Sequence, residues 1–240
     1  MDVGRTGLPA MRMQENTDEG STTKRMKSSI RSPLDVQNKA FDEIVTGRRS
    51  IRSFTMEVPP RATIELILAA GLAAPFAEAA VGNARDFRRF AVFPQGGQAL
   101  DSVISFLREK GKAQLDAIQG REPKDAPFFK KLEALANGHI PGLGTAPYLI
   151  AVAERKGTPS VEQQSIAHCL QNMWLKATAL GLGFHVVSAL AMLADEPRFW
   201  ALCGLPAGVY DLNGCAIGVP ALTPPAKPRP TVAEATIWLG

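Results

Sequence analysis

A chain of 240 residues suits one domain with arms, and a hydrophobic share of 45% excludes a disordered chain. The formal net charge of +4, from 27 basic and 23 acidic residues, is too mild to mark a nucleic-acid binder, although a few local cations can still hold a phosphate. Three scattered cysteines, Cys169, Cys203 and Cys215, argue against a disulfide scaffold, and with only His139, His168 and His185 beside them no metal centre is expected.

Residues 1–38 mix glycine, serine, threonine and charged side chains without a helix or strand period, and read as a poorly packed N-terminal arm. The start lacks an apolar signal-peptide core, and no stretch reaches the roughly 18 apolar residues of a membrane span. No membrane partner is therefore expected, and cytoplasmic residence is the default. Order is expected from near Ala40, where Phe41, Ile44 and Val45 form an apolar helix stripe that stops at Gly47. A second helix follows Pro59, with Ile64, Leu66, Ile67, Leu68 and Ala70 on its core side. Phe90 to Phe93 reads as a short strand, 98–119 as a long helix, 120–127 as a loop, and Phe128 to Leu135 as one more helix.

Pro147 to Ala153 is apolar nearly throughout and reads as a central strand. Ile166, Leu170, Met173, Trp174 and Ala177 place the clearest helix over 162–180, ended by Gly181-Leu182-Gly183. Phe184 to Val187 reads as a strand, Ala189 to Leu202 as helix broken near Pro197, and Leu212 to Val219 as the last core strand. The proline-rich stretch from 220 is an extended C-terminal arm, with residues 233–239 free to reach another subunit. The order is less regular than a strand–helix–strand repeat, so α+β is expected rather than a doubly wound sheet. Residues 39–240 then make a single domain.

Three features can carry chemistry. In Arg48-Arg49-Ser50-Ile51-Arg52, an extended backbone turns Arg48, Ser50 and Arg52 to one side, where they can converge on an oxyanion; a solvated basic turn is the plainer alternative. Gly181-Leu182-Gly183 permits close approach of a planar ring, or is simply a helix cap. Lys227-Pro228-Arg229-Pro230 holds two cations on a stiff extended chain, ready for a phosphate or merely facing solvent. A Rossmann fingerprint, a P-loop, a hydrolase nucleophile elbow and useful carboxylate pairs are all missing. His185, just after the glycine turn, is the better histidine for a pocket wall.

Taken together these pieces resemble the nitroreductase family of flavoproteins, from about Phe41 to Leu239. The likeness is carried by Arg48 to Phe54 with Pro59 and Ala74-Pro75, and by Ala146-Pro147-Tyr148. It continues through Gln171-Asn172-Met173-Trp174 with Ala179 to Gly183, and through Ala216 to Pro220 with Lys227 to Pro230. The resemblance implies a three-layer α+β fold with a mostly antiparallel central sheet flanked by helices. It further implies a homodimer with FMN at the interface, and NAD(P)H as electron donor. By position in the motif, Arg48, Arg49, Ser50 and Arg52 would cradle the phosphate and ribityl chain, with Arg229 and Lys227 as the second phosphate contact. Gly181, Leu182 and Gly183 would wall the flavin ring, and Asn83 would touch it.

The chain departs from the family between Phe76 and Phe87. The usual Ser-Ala-x-Asn-x-Gln-Pro-Trp is replaced, about four extra residues precede Asn83, and Arg85-Asp86-Phe87 follows. Arg85 would bring positive charge to the pocket, or pair with Asp86. No side-chain nucleophile or metal is required. The resemblance implies hydride transfer from NAD(P)H through FMN to an electron-poor small molecule of nitroaromatic or quinone type. The alternatives are a non-catalytic flavin-binding homodimer, or a specialised FMN enzyme for heterocycle dehydrogenation, flavin fragmentation or reductive dehalogenation.

Overall fold

A computed structural model of the protein describes residues 32–118 and 126–239. Most of the expected N-terminal arm, and most of the loop expected at 120–127, lie outside these residues.

The first helix, α1 (Pro33–Gly47), begins earlier than the apolar stripe predicts. Ser32 accepts from the Asp35 backbone N–H, the Asp35 carboxylate accepts from the Ser32 N–H, and Pro33 occupies the first turn. This reciprocal cap nucleates the helix ahead of its first large apolar residues. No residue of α1 is buried, and Phe41 is exposed. Next come α2 (Arg61–Leu72), the short α3 (Glu78–Val81), β1 (Arg88–Pro94), α4 (Gln98–Ile118) and α5 (Pro127–Ala136). In α2, Ile64 and Ile67 are buried, but Leu66, expected beside them, turns outward and is exposed. They are followed by β2 (Tyr148–Arg155), α6 (Glu162–Ala179), β3 (Gly183–Val186) and a 3₁₀ turn over Ser188–Leu193. The chain then forms α7 (Pro197–Leu202), β4 (Tyr210–Gly218) and the short α8 (Val232–Ala235).

The strands form a four-stranded sheet in the order β1-β2-β4-β3, with every neighbouring pair antiparallel. Its central strand explains why the apolar run at 148–153 does not alternate. Leu149, Ala151 and Ala153 pack on one face with Val103, Leu107, Leu132, Phe199 and Trp200, beneath α4, α5 and α7. Ile150 and Val152 pack on the other with Ile67, Ile166, Cys169 and Met173, from α2 and α6. A strand covered on both faces needs apolar residues at every position. Helices above and below the sheet make the three-layer α+β fold that the resemblance implies. Among the described residues no helix is long and apolar enough to cross a membrane.

Candidate functional site

After α1 the chain becomes a strap laid against the sheet. The Ile51 N–H donates to the Phe184 carbonyl at 3.0 Å, and the Thr55 N–H donates to the Val219 carbonyl at 2.9 Å. Ile51 and Phe54 are buried beneath the strap, which leaves Arg52 on the solvent side. A Cβ on Gly183 would sit 2.7 Å from Ile51 Cγ2, so this glycine lets the strap lie close to β3. The strap also anchors the C-terminal arm, since the Ala221 N–H donates to the Ser53 carbonyl at 3.0 Å.

From that anchor the proline-rich arm folds back over the strap. Thr46, Arg48, Arg49, Ser50 and Arg52 face residues 224–229 across a cleft of about 510 Å³. All five cations expected at a phosphate, Arg48, Arg49, Arg52, Lys227 and Arg229, border this one space, and among the described residues no carboxylate does. Among the described residues, none of the five forms an ion pair. Burial, and then the positive charges of Arg229 and Arg49, make the Arg48 guanidinium less basic than usual. Like charges held together without a counter-ion form a site for an anion.

The arginines are held in different ways. Arg48 lies 4.2 Å over the Trp174 ring, and the Trp174 indole N–H donates to the Arg49 carbonyl at 3.1 Å. Arg49 donates from Nη1 to the Thr46 carbonyl at 2.6 Å and to the Arg48 carbonyl at 2.9 Å, at the end of α1. That commits part of its guanidinium to the helix C-terminus, where cations are favoured.

Arg52 also borders a second pocket of about 740 Å³, so the two spaces meet at one side chain. Apolar walls come from Phe128, Leu132, Leu135, Pro141 and Met192, and polar groups from Gln114, Lys131, His185 and Ser188. The imidazole of His185 presses on the turn at 141–145. A Cβ on Gly142 would lie 1.9 Å from its Cδ2, and Gly142 also has φ +86°. Burial, then Arg52 and Lys131, push the imidazole down to about 4, so it is neutral near pH 7. Its Nδ1 is buried and has no hydrogen-bond partner among the described residues.

Other expected residues lie elsewhere. Gly181, Leu182 and Gly183 line neither cleft. The Leu182 N–H donates to the Ala177 carbonyl, the Gly181 N–H donates to Thr178, and Gly181 has φ +72°. This is a Schellman cap, the plainer of the two readings of the motif. The second pocket is lined by residues just downstream, His185, Val186, Ser188 and Ala189. Asn83 sits on an exposed turn after α3 and lines neither cleft.

Arg85 is exposed, and Asp86 is taken by Arg155 and by the Tyr210 hydroxyl, which donates to it at 2.9 Å. These partners hold the Asp86 carboxyl down to about 2. The altered segment is further fixed by the stacked Phe76 and Phe87 rings, 3.8 Å between centroids. Sequence reasoning did not single out Arg88. It is buried and donates from Nε to Glu154 at 2.7 Å and from Nη2 at 3.1 Å. It also donates to the Gly71 and Ala74 carbonyls at the end of α2. Lys131, Gln114 and Gly142 were missed too, because only the fold joins α4, α5 and the 141–145 turn to the strap. Among the described residues no three His, Cys, Asp or Glu side chains gather as a metal site.

The nitroreductase family model matches residues 45–219, from the last turn of α1 to the end of β4. The chain belongs to the nitroreductase family. Membership makes it an oxidoreductase of nitroreductase type. The chain is 28% identical over 177 residues to a 5,6-dimethylbenzimidazole synthase of Rhodospirillum rubrum, covering 67% of this chain and 77% of that protein. It is 29% identical over 195 residues to a protein of the same name from Rhodobacter capsulatus, covering 77% and 85%. Among solved structures, a BluB-like flavoprotein from Clostridium difficile superposes with a TM-score of 0.64 at 18% identity, covering 83% of this chain and 98% of that one. A nitroreductase with bound FMN from Bacteroides fragilis gives 0.59 at 22% identity, with the same coverage of 83% and 98%.

Proposed function

We propose that this nitroreductase-family protein binds FMN across its two connected clefts and works as an FMN-dependent oxidoreductase. One observation carries the reading. Segments 48–52 and 224–229, distant in the chain, meet in a cleft that no carboxylate among the described residues borders, and that cleft joins an apolar-walled pocket at Arg52. FMN divides in the same way, with a doubly charged phosphate at one end and a planar ring at the other. Arg48, Lys227 and Arg229 would hold the phosphate. Ser50, Arg52 and the backbone at Arg49 would meet the ribityl chain. The ring would border Val186, Ser188 and Ala189, with His185 Nδ1 available to it. The bound flavin would supply two-electron redox chemistry, and the protein position, charge and exclusion of water. Asn83 and the Gly181–Gly183 turn would reach a flavin only where two copies share the site, and the expected homodimer is part of this reading.

For the reaction itself we infer specialised chemistry on the flavin, of the fragmenting kind, ahead of reduction of an external nitroaromatic or quinone. The names of the two curated relatives favour it. So does chemical economy, since the isoalloxazine already contains a dimethylated benzene ring bearing two nitrogens. NAD(P)H is the proposed reductant in either case. The test is incubation of the purified protein with FMN and NADH or NADPH in air, with products read by mass spectrometry. Release of 5,6-dimethylbenzimidazole supports fragmentation. Anaerobic bleaching of the flavin, reversed by menadione without that product, supports the simpler hydride relay. A flavin that binds and is never reduced identifies a non-catalytic binder, and a chain that takes up no FMN in excess contradicts the assignment.

A further inference from the structure

Lys131 stands exposed at the rim of the His185 pocket. On α5, the residues three and four places away are Phe128, Ala134, Pro127 and Leu135, so the helix offers it no acidic neighbour. It forms no ion pair among the described residues. Arg52 faces the same pocket from the strap, and among the described residues no carboxylate lines the space. The remaining polar groups are Gln114, Ser188 and a neutral imidazole. A solvated helix face explains Lys131 taken alone. It does not explain two cations around one apolar-walled space that no carboxylate among the described residues borders.

We propose that this pocket selects planar rings carrying a negative charge at the edge, with Lys131 as the counter-charge that sets the preference. The proposal rests on the FMN reading for what lies next to the pocket. Two molecules share the required chemistry. One is the flavin ring after uptake of two electrons and one proton, which leaves it with one net negative charge. The other is an aromatic co-substrate bearing a carboxylate, for which about 740 Å³ leaves room beside a ring.

Lys131→Gln and Lys131→Arg separate these sources in two measurements. The first is potentiometric titration of the FMN-loaded protein. Lys131→Gln should weaken binding of reduced over oxidised flavin by about fivefold, roughly 20 mV for a two-electron couple, and Lys131→Arg should not. The second is calorimetric titration with benzoate and with benzamide, in the presence and absence of FMN. The unaltered protein should prefer benzoate by about fivefold, and Lys131→Gln should remove the preference. A change in either measurement supports the proposal and identifies the source of the anion. An unmoved potential together with equal affinities for benzoate and benzamide overturns it. A benzoate preference that survives Lys131→Gln while the potential stays unmoved also overturns it, since the charge that matters is then Arg52. Failure to take up FMN sinks the flavin reading instead, and the benzoate measurement then decides the proposal by itself.

Discussion

Arg52 borders both clefts, so reversing its charge acts on the phosphate and on the ring pocket together. Arg52→Glu should yield a largely colourless protein. The lost contact removes about 2–4 kcal/mol of cofactor binding, and the new carboxylate repels the phosphate as well. Absorbance of the purified variant and FMN titration read the effect directly, and full occupancy would contradict the role given to the strap. His185 sets a pH limit in the same pocket. Its folded value near 4 lies below the ordinary value of 6.5. Between those two pH values the unfolded chain takes up a proton that the folded chain refuses. Stability should therefore be level above about pH 6.5 and fall as the pH drops towards 4. Partial exposure keeps the loss to about 1–2 kcal/mol. Urea midpoints at pH 7.5 and 4.5 should show that slope, and His185→Gln should flatten it.

At the scale of elements, the buried Arg88–Glu154 pair ties β1 to β2, and the further bonds from Arg88 tie both to the end of α2 and to the Ser165 carbonyl in α6. Arg88→Met would leave the Glu154 carboxylate buried without its partner, at a cost of about 3–5 kcal/mol. Changing Glu154→Gln as well should recover part of that loss, and chemical denaturation of both variants checks the difference. Nothing local marks this pair, because Arg88 and Glu154 become neighbours only through strand register. The elements themselves were largely readable. β2 shows itself because both of its faces are buried, and α6 because its stripe repeats at helical spacing. The start of α1 was readable too, in Ser32-Pro33-Leu34-Asp35, but the polar residues around that cap disguised it as part of the arm. The cation clusters at 48–52 and 227–229 stood out because each is local. The ring pocket did not, since its walls come from α4, α5, the strap, the 141–145 turn and the chain after β3.

At the scale of the whole molecule, one chain leaves apolar surface without a use. Singly exposed apolar residues are ordinary, but α1 touches α6 only with half-buried side chains such as Ile44 and Val45, and has no fully buried residue to hold a helix of 15 residues that is marginal in water by itself. At the other end of the chain, Ile237, Trp238 and Leu239 are 85%, 88% and 93% exposed on an extended segment. Three bulky apolar residues in a row on an exposed extended segment, in a chain whose first described helix has no buried residue, fit an arm that packs on a second copy. Sedimentation at micromolar concentration should therefore give a homodimer. Trp238→Ala combined with Ile237→Ala should raise its dissociation constant at least tenfold, because interface energy concentrates on large aromatic anchors. The same substitutions should lower FMN affinity, although they touch neither cleft, because the arm that carries Lys227 and Arg229 ends in these residues. A protein that sediments as a monomer and still binds FMN tightly would separate cofactor binding from assembly, and would leave the exposed arm to be explained by some other partner.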